Sequence, residues 1–206
     1  MDILCKIVSW LFHPLLMVSY GMGLVLTQTL LAIYPMRVKG LLEGGVLLST
    51  ALIPGFFIWL LVRNGAAKDM ELSDRRERSL PYLIFLTALL SCLYFLYRMM
   101  MSFWLLWTLG GACVALGIAL FVNFAWKISA HMIGIGGLLG GVMGVARMHS
   151  MNPYWLFILL FLVAGLVGTA RIYLKKHTPT QVYAGFCLGF ICTFVASLMS
   201  YIYLFI

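Results

Sequence analysis

Seven long apolar stretches constrain the fold of this chain more than any other feature of its sequence. They lie at about residues 8–33, 41–62, 81–99, 102–123, 130–146, 154–170 and 182–205. A helix of about 20 apolar residues spans the hydrocarbon core of a bilayer. Of the 206 residues, 64% are hydrophobic and only 10% are charged, so a soluble fold would expose large apolar patches. The sequence therefore predicts an all-α, polytopic transmembrane helical bundle.

The number of crossings stays open at one point. His13-Pro14 interrupts the first stretch, and a proline there either kinks a crossing helix or ends a short interfacial segment. We therefore predict six to seven spans in one domain, residues 1–206, whose motif-bearing core is about 63–190. The N-terminus lacks a short apolar region followed by a cleavage site, so we expect it to be retained.

Cysteine and glycine within the apolar stretches are interpreted as packing residues. The five cysteines have no metal-ligand spacing, and we predict that they are small core residues. Gly136, Gly140 and Gly144 recur at a spacing of four, which is typical of close contact between membrane helices.

Basic residues are concentrated on one predicted membrane face. If the seven stretches cross alternately, connections 63–80, 124–130 and 171–181 all lie on the face of the N-terminus. They carry Arg63, Lys68, Arg75, Arg76, Arg78, Lys127, Arg171, Lys175 and Lys176, whereas the opposite face carries Arg37, Lys39, Arg98 and Arg147. Positive-inside topology and a binding site for an anion both explain this asymmetry.

The positions of the acidic residues favour an anion site. Every Asp and Glu lies at or before Glu77, so the cations of the second half have no carboxylate near them in sequence. Cations at a membrane boundary need an anionic partner, which is a lipid headgroup, a bound phosphate or the acids of segment 69–77. Headgroup contact is an equal alternative for Lys175 and Lys176.

The polar connections of this face also lead directly into helix starts. Ser79, Ser129 and Thr178 each precede an apolar stretch in the manner of an N-cap, and Pro81 and Pro179 fit a first helical turn. Free backbone N–H groups and the helix dipole make such starts suitable for anions. We therefore predict that three helix N-termini converge on a phosphate.

Two histidines stand beside these helix starts. His131 and His177 each have a neighbouring cation, and imidazole serves as nucleophile or proton donor near neutral pH. His13 and His149 are interpreted as structural. A zinc site would need a suitably spaced cysteine or acid as a further ligand, so we expect neither a metal nor another cofactor.

Residues 171–185 resemble the third motif of the type-2 phosphatidic acid phosphatase and vanadium haloperoxidase superfamily. That motif reads Ser-Arg, five residues, His, three residues, Asp, and Arg171 and His177 have its spacing. Lys127-Ile-Ser129-Ala-His131 is similar to the second motif, Pro-Ser-Gly-His. Segment 74–81 occupies the place of the first motif, Lys, six residues, Arg-Pro, with its arginines at shifted positions.

The resemblance implies a metal-independent phosphatase or phosphotransferase that acts on a membrane lipid phosphate, phosphatidate-like or polyprenyl, through a phosphohistidine. His177 would be the nucleophile and His131 the proton donor to the leaving alkoxide. The phosphate-binding residues would be Arg171, Lys127, Ser129, Arg75, Arg76 and Arg78. The expected setting is a bacterial inner membrane, with the face of the site left open.

Two departures from the motif support an alternative function. Ala170 replaces the usual serine, and Gln181 replaces the aspartate that orients the nucleophilic histidine. Gln181 remains the orienting candidate, an acid of segment 69–77 is another, and loss of such a carboxylate costs hydrolases several powers of ten in rate. The alternative is a catalytically silent protein that binds a phospholipid or polyprenyl phosphate. Nucleic acid is not expected as a partner, because the +8 net charge lies beside membrane spans.

Overall fold

The structure is a computed structural model that describes residues 1–65 and 78–203, with side chains described as far as Ser200. The described part is almost entirely helical and contains no strand. Its α-helices are α1 (Asp2–Leu11), α2 (Met17–Gln28), α3 (Met36–Leu47), α4 (Ile53–Arg63), α5 (Ser79–Arg98), α6 (Phe103–Ala125), α7 (Ala130–Met148), α8 (Tyr154–Tyr173) and α9 (Pro179–Tyr203). The predicted all-α bundle is confirmed.

Seven helical segments in the described ranges are long and apolar enough to cross a membrane. They are Asp2–Gln28, Met36–Arg63, Ser79–Arg98, Phe103–Ala125, Ala130–Met148, Tyr154–Tyr173 and Pro179–Ser200. These agree with the predicted stretches to within a few residues, except that the first begins at Asp2 and ends at Gln28 instead of covering 8–33. An integral membrane protein follows from these spans.

The first segment is broken where the proline predicts. The backbone of His13 is extended, and Pro14 starts a short 3-10 turn whose Leu15 N–H donates to His13 Nδ1 at 3.4 Å. Proline has no N–H to continue the hydrogen bonds of α1. The chain therefore changes direction between α1 and α2.

Glycine allows α7 and α9 to pack against each other at the centre of the bundle. A Cβ atom on Gly136 or Gly140 would collide with the carbonyl oxygens of Phe186 and Phe190, and one on Gly144 would meet the side chain of Ser197. Small residues allow this approach between membrane helices. The predicted packing role of these glycines is confirmed.

The cysteine prediction holds only in part. Cys92 and Cys113 are buried in the core, whereas Cys187 is exposed on α9, and all five cysteines are free. Since an apolar residue of a membrane helix faces lipid as readily as protein, hydropathy alone does not decide which side chains enter the core.

We expect Gly140→Ala to destabilise the bundle by about 1–3 kcal/mol, because the added methyl overpacks the α7–α9 contact. Thermal unfolding in detergent, followed by the loss of monodisperse protein, measures this change. Gly165→Ala is the matched control, since nothing lies within 4 Å of a Cβ at that position. Equal unfolding midpoints for the two variants would contradict the packing role.

Candidate functional site

Four parts of the chain meet at one end of the α7–α9 pair. Arg78 Nη1 donates to the carbonyl of Ile128 at 3.1 Å, which joins the start of α5 to the connection before α7. The second turn of α9 lies against the same connection, since a Cβ on Gly185 would be 2.7 Å from the Ser129 carbonyl oxygen. The end of α8 completes the group. The starts of α5, α7 and α9 thus lie together.

Arg171 lies in the last turn of α8 and not in the connection where the sequence placed it. The predicted sixth stretch ended at residue 170, but α8 continues to Tyr173. The Arg171 side chain is only 1% exposed. A buried guanidinium is costly unless anionic or polar groups contact it. The burial of Arg171 therefore indicates a polar site inside the bundle.

The turn after α8 brings the chain back over Arg171. Lys175 adopts a left-handed backbone with φ 52°, and its N–H donates to the carbonyl of Ile172 at 2.9 Å. The N–H of Lys176 donates to the Arg171 carbonyl at 3.1 Å, and that of His177 reaches the same oxygen at 3.3 Å. This is the Schellman arrangement of a helix C-terminus. It explains physically why a separation of six residues returns His177 to Arg171.

A reciprocal capping box at the start of α9 holds His177. Gln181 N–H donates to Thr178 Oγ1 at 3.4 Å, and Thr178 N–H donates to Gln181 Oε1 at 3.3 Å. The same Oε1 lies 2.9 Å from His177 Nδ1. The spacing Thr-x-x-Gln is a recognised capping-box signal that motif comparison overlooks. Gln181 therefore starts a helix as well as contacting the histidine.

These contacts decide the tautomer of His177. A backbone N–H only donates, so the Gln181 atom that meets Thr178 N–H is the carbonyl oxygen and not the amide nitrogen. That oxygen accepts from His177 Nδ1, which must carry the proton. The lone pair of the neutral ring therefore lies on Nε2. Nε2 is the nitrogen that can attack an electrophile.

The surroundings of His177 favour its neutral form. Burial lowers the pKa of His177 to about 3, and the positive charge of Arg78 contributes to the shift. Arg171 and Lys127 act in the same direction, while the hydrogen bond to Gln181 opposes them. Since the ring is protonated only below about pH 3, it is neutral at physiological pH. The cations that disfavour the imidazolium favour a bound anion.

His131 is buried at the start of α7 and meets residues from the N-terminal segment. Its Nε2–H donates to the carbonyl of Ser9 at 3.1 Å. The ring of His13 lies edge-to-face against it, with the ring centroids 5.4 Å apart. His131 also interacts electrostatically with Arg171 and His177. The structure therefore groups both predicted reactive histidines at one end of the bundle.

His13, which the sequence indicates to be structural, makes two contacts. His13 does cap the turn at Pro14, but the same side chain also contacts His131. No sequence pattern links these histidines, because the contact arises from the path of the chain between α1 and α2. The carboxylate of Asp2, at the other end of α1, interacts with Tyr173 at the end of α8. The start of α1 thus lies near the end of α8, and the residues around its end contact His131.

Only one of the three predicted N-caps forms a capping hydrogen bond. Thr178 does so, whereas Ser79 lies inside α5, which has Arg78 at its N-cap position. Ser79 Oγ instead accepts from Asn123 at 3.4 Å. Ser129 occupies the N-cap position of α7, but its hydroxyl does not cap the helix. Within the described ranges this buried hydroxyl has no hydrogen-bond partner, which leaves it available to a ligand.

An open groove of about 460 Å³ lies beside His177. Its lining is mainly basic and polar and consists of Lys127, Ile172, Lys175, Lys176, His177, Thr178, Pro179 and Gln181. Of the three arginines predicted to bind phosphate from segment 74–81, only Arg78 is described, and it is buried in the site. Arg75, Arg76 and the acids of segment 69–77 lie outside the described residues.

His149 lies at the opposite end of α7 and takes no part in this site. Its Nδ1–H donates to the Val145 carbonyl at 2.9 Å within the helix, and its ring packs edge-on against Trp104. Over residues 1–65 and 78–203, no three or more His, Cys, Asp or Glu side chains are grouped as metal ligands.

Comparison with known proteins adds no relative of established function. Protein-family models, curated proteins and solved structures all gave no match to this chain. The motif resemblance therefore remains a prediction, and function is inferred from the geometry of the site.

Gln181→Glu should raise the pKa of His177 by about one to three pH units, because a carboxylate stabilises the adjacent imidazolium. Glutamate keeps the length that the capping box needs, so α9 should start at the same residue. NMR titration of labelled histidine measures the pKa. Gln181→Asp is the matched comparison and should give a smaller rise, since the shorter side chain reaches Nδ1 poorly. An unchanged pKa in Gln181→Glu would rule out Gln181 as the Nδ1 partner.

Proposed function

We propose that this chain is a membrane lipid phosphatase or phosphotransferase that acts through a phosphohistidine on His177. The observation that carries the proposal is a neutral histidine with its Nε2 lone pair available, surrounded by Arg78, Arg171 and Lys127. A neutral imidazole is a nucleophile, and the cations offer charge to the phosphoryl oxygens in the ground state and the transition state. The motif resemblance supports the same chemistry.

In the proposed reaction, His177 Nε2 forms a bond to phosphorus as the bond from phosphorus to the lipid alkoxide oxygen breaks. The leaving oxygen takes a proton from the imidazolium form of His131, which becomes the neutral imidazole. Water, or an acceptor alcohol in a phosphotransferase, then gives a proton to His131 as its oxygen bonds to phosphorus and the P–N bond breaks, which regenerates both histidines. Arg78, Arg171, Lys127 and the Ser129 hydroxyl bind the phosphoryl oxygens.

The role of His131 as a proton donor depends on the N-terminal segment. Its Nε2–H is donated to the Ser9 carbonyl in this structure. Transfer of that proton to an alkoxide requires this hydrogen bond to break, whereas a proton on Nδ1 could be transferred with the bond intact. The position of α1 therefore determines which nitrogen of His131 can donate a proton to the leaving oxygen.

The proposed substrate is a phosphorylated lipid, phosphatidate-like or polyprenyl, in a bacterial inner membrane. Support comes from the position of the groove, which borders the end of α8 and the start of α9, next to two apolar spans. A lipid phosphate has an anionic head for the groove and a tail that stays among the spans. The proposed chemistry uses no metal or organic cofactor.

Gln181 supports a second candidate, a catalytically silent protein that binds the same lipids for transport or assembly. A glutamine oxygen accepts the Nδ1 hydrogen bond but does not neutralise an imidazolium, which favours binding over turnover. Both candidates share the cationic groove and differ in whether His177 becomes phosphorylated.

Phosphate release from a panel of lipid phosphates tests the proposal. Purified protein is incubated with ³²P-labelled phosphatidate or polyprenyl phosphate and quenched under alkaline conditions that preserve phosphohistidine. We expect turnover and a label on the peptide that contains His177. Absence of both, while vanadate still binds, would overturn the enzyme and leave the silent binder.

A further inference from the structure

A second cavity, almost entirely apolar, runs along α7 inside the bundle. On α7 it is lined from Ala130 to Ala146, and α2 and α6 supply most of the remaining wall, with smaller contributions from α5 and α9. Its volume is about 160 Å³, and it is partly open. Ordinary small-molecule pockets start at about 300 Å³, so this narrow cavity suits a thin ligand.

One end of this cavity adjoins the cationic site. Ala130 and Pro14 line it, and they are the direct neighbours of His131 and His13. His131 shares a face of α7 with the lining residue Gly134, because residues three apart on a helix lie above one another. A ligand that leaves the site along this face therefore enters the cavity.

The cavity extends deep into the membrane. From Ala130 to Ala146 the helix advances by about 24 Å at about 1.5 Å per residue. Half of the hydrocarbon core is about 15 Å thick, so the cavity passes the bilayer midplane. Met151 and Pro153 line its far end, beyond the end of α7.

The walls offer few hydrogen bonds to an occupant. Thr193 Oγ1 donates to the Gly137 carbonyl at 2.9 Å, and Thr108 Oγ1 donates to the Trp104 carbonyl at 2.8 Å. The Thr29 hydroxyl donates to Val25 within α2 in the same way. Because the threonine protons are used inside the protein, the walls suit a hydrocarbon and not a polar ligand.

We propose that this cavity binds one extended hydrocarbon chain of the phosphorylated lipid whose headgroup lies in the cationic site. The proposal rests on the proposed lipid specificity but not on turnover. Charge complementarity selects the occupant, since the cations next to the end lined by Ala130 and Pro14 match an anionic headgroup and the apolar walls match its tail. The cavity is narrow enough to admit only one chain. It is long enough for the end of that chain to lie beyond the membrane centre.

Photolabelling tests where the chain lies. The ligand is an alkyl phosphate with a diazirine at the end of a chain of about 18 carbons, used at low molar ratio with protein in nanodiscs. We expect labels at the far end of the cavity, on Leu105, Thr108, Val145, Ala146 or Met151. A shorter chain should label nearer the site, at Ile133 or Leu138. Labels confined to lipid-facing residues such as Phe121 and Leu166 would overturn the proposal.

Glycine variants provide the matched test. Gly137→Leu projects a side chain into the cavity, where its Cβ has ordinary contact with Thr193 at 3.5 Å, and Gly21→Leu does so from the facing helix. Each should reduce labelling at the far end at least tenfold. Gly165→Leu, on an exposed position of α8, should leave the labelling unchanged. Equal labelling in all three folded variants, judged by their thermal unfolding, would also overturn the proposal.

The outcomes separate this inference from the proposed function. Far-end labelling with neither turnover nor phosphohistidine would retain the chain site and exclude the enzyme. Turnover with labels scattered over the outer faces would retain the enzyme and exclude the chain site.

Discussion

His177→Ala is expected to abolish lipid-phosphate turnover, with a loss of at least about 10⁴-fold in kcat. Removing the nucleophile of a covalent mechanism costs about this much or more, because no other group forms the intermediate. Initial rates of phosphate release, together with the phosphohistidine label, measure the loss. Vanadate binding should persist, since the cations of the site remain.

His149→Ala is the matched control for this experiment. His149 is bonded within α7 at the far end of the helix, so its loss should leave the rate within about twofold of wild type, as for other changes away from a site. Partial recovery of His177→Ala by added imidazole would strengthen the assignment, because imidazole can occupy the space that the ring leaves. Undiminished turnover in His177→Ala would show that another group is the nucleophile.

Arg171→Ala should weaken binding of vanadate or sulfate by about 30- to 1000-fold, which corresponds to about 2–4 kcal/mol for a buried, hydrogen-bonded charge. The guanidinium is 1% exposed and offers several donors to a tetrahedral anion. Isothermal titration calorimetry in detergent measures the affinity. Arg171→Lys should lie between wild type and Arg171→Ala, because lysine retains the charge but not the planar donor geometry.

Arg63→Ala is the matched control for Arg171→Ala. Arg63 is an exposed cation in the last turn of α4, where it stacks over the ring of Trp59 at 5.2 Å. Its loss should change the affinity by less than about twofold, since solvent and salt screen an exposed charge. Unchanged vanadate affinity in a folded Arg171→Ala protein would remove Arg171 from the anion site.

Hydropathy predicts the transmembrane segments well because a bilayer requires each crossing to be apolar and to satisfy its own backbone hydrogen bonds. The known effects of proline and glycine on membrane helices predict the helix break at Pro14 and the close packing at Gly140. It was less accurate at helix ends, where Arg171 lies inside α8 and Ser79 inside α5. The residue at which a helix ends depends on local hydrogen bonds, and the hydropathy of a segment does not indicate these.

The grouping of His131 with Ser9 and His13 could not be predicted in this way. Ser9 and His131 are 122 residues apart, and no periodic pattern connects them. Their contact depends on how α1 is placed against α7 and α8. The apolar cavity has the same origin, since it is the space that remains between helices once their backbones have packed.

Gln181 shows how a motif comparison and a structure answer different questions. Comparison with the motif reports only a missing carboxylate at this position. The hydrogen bonds show a residue that completes the capping box with Thr178 while accepting from His177. Glutamine has the length for both tasks. The substitution is therefore consistent with the local geometry of α9 as well as with altered catalysis.

The sharing of one oxygen by two donors also couples the orientation of His177 to the fraying of α9. When the first turn of this helix opens, Gln181 Oε1 leaves both Thr178 and the imidazole, and the ring is free to rotate and to exchange its proton between nitrogens. The lifetime of a ring with Nε2 available is then set by the opening rate of a helix end, which belongs to the low-stability, rapidly exchanging part of a protein. In the proposed function, the reactivity of this histidine would therefore depend on the opening kinetics of α9 as well as on the side chain itself.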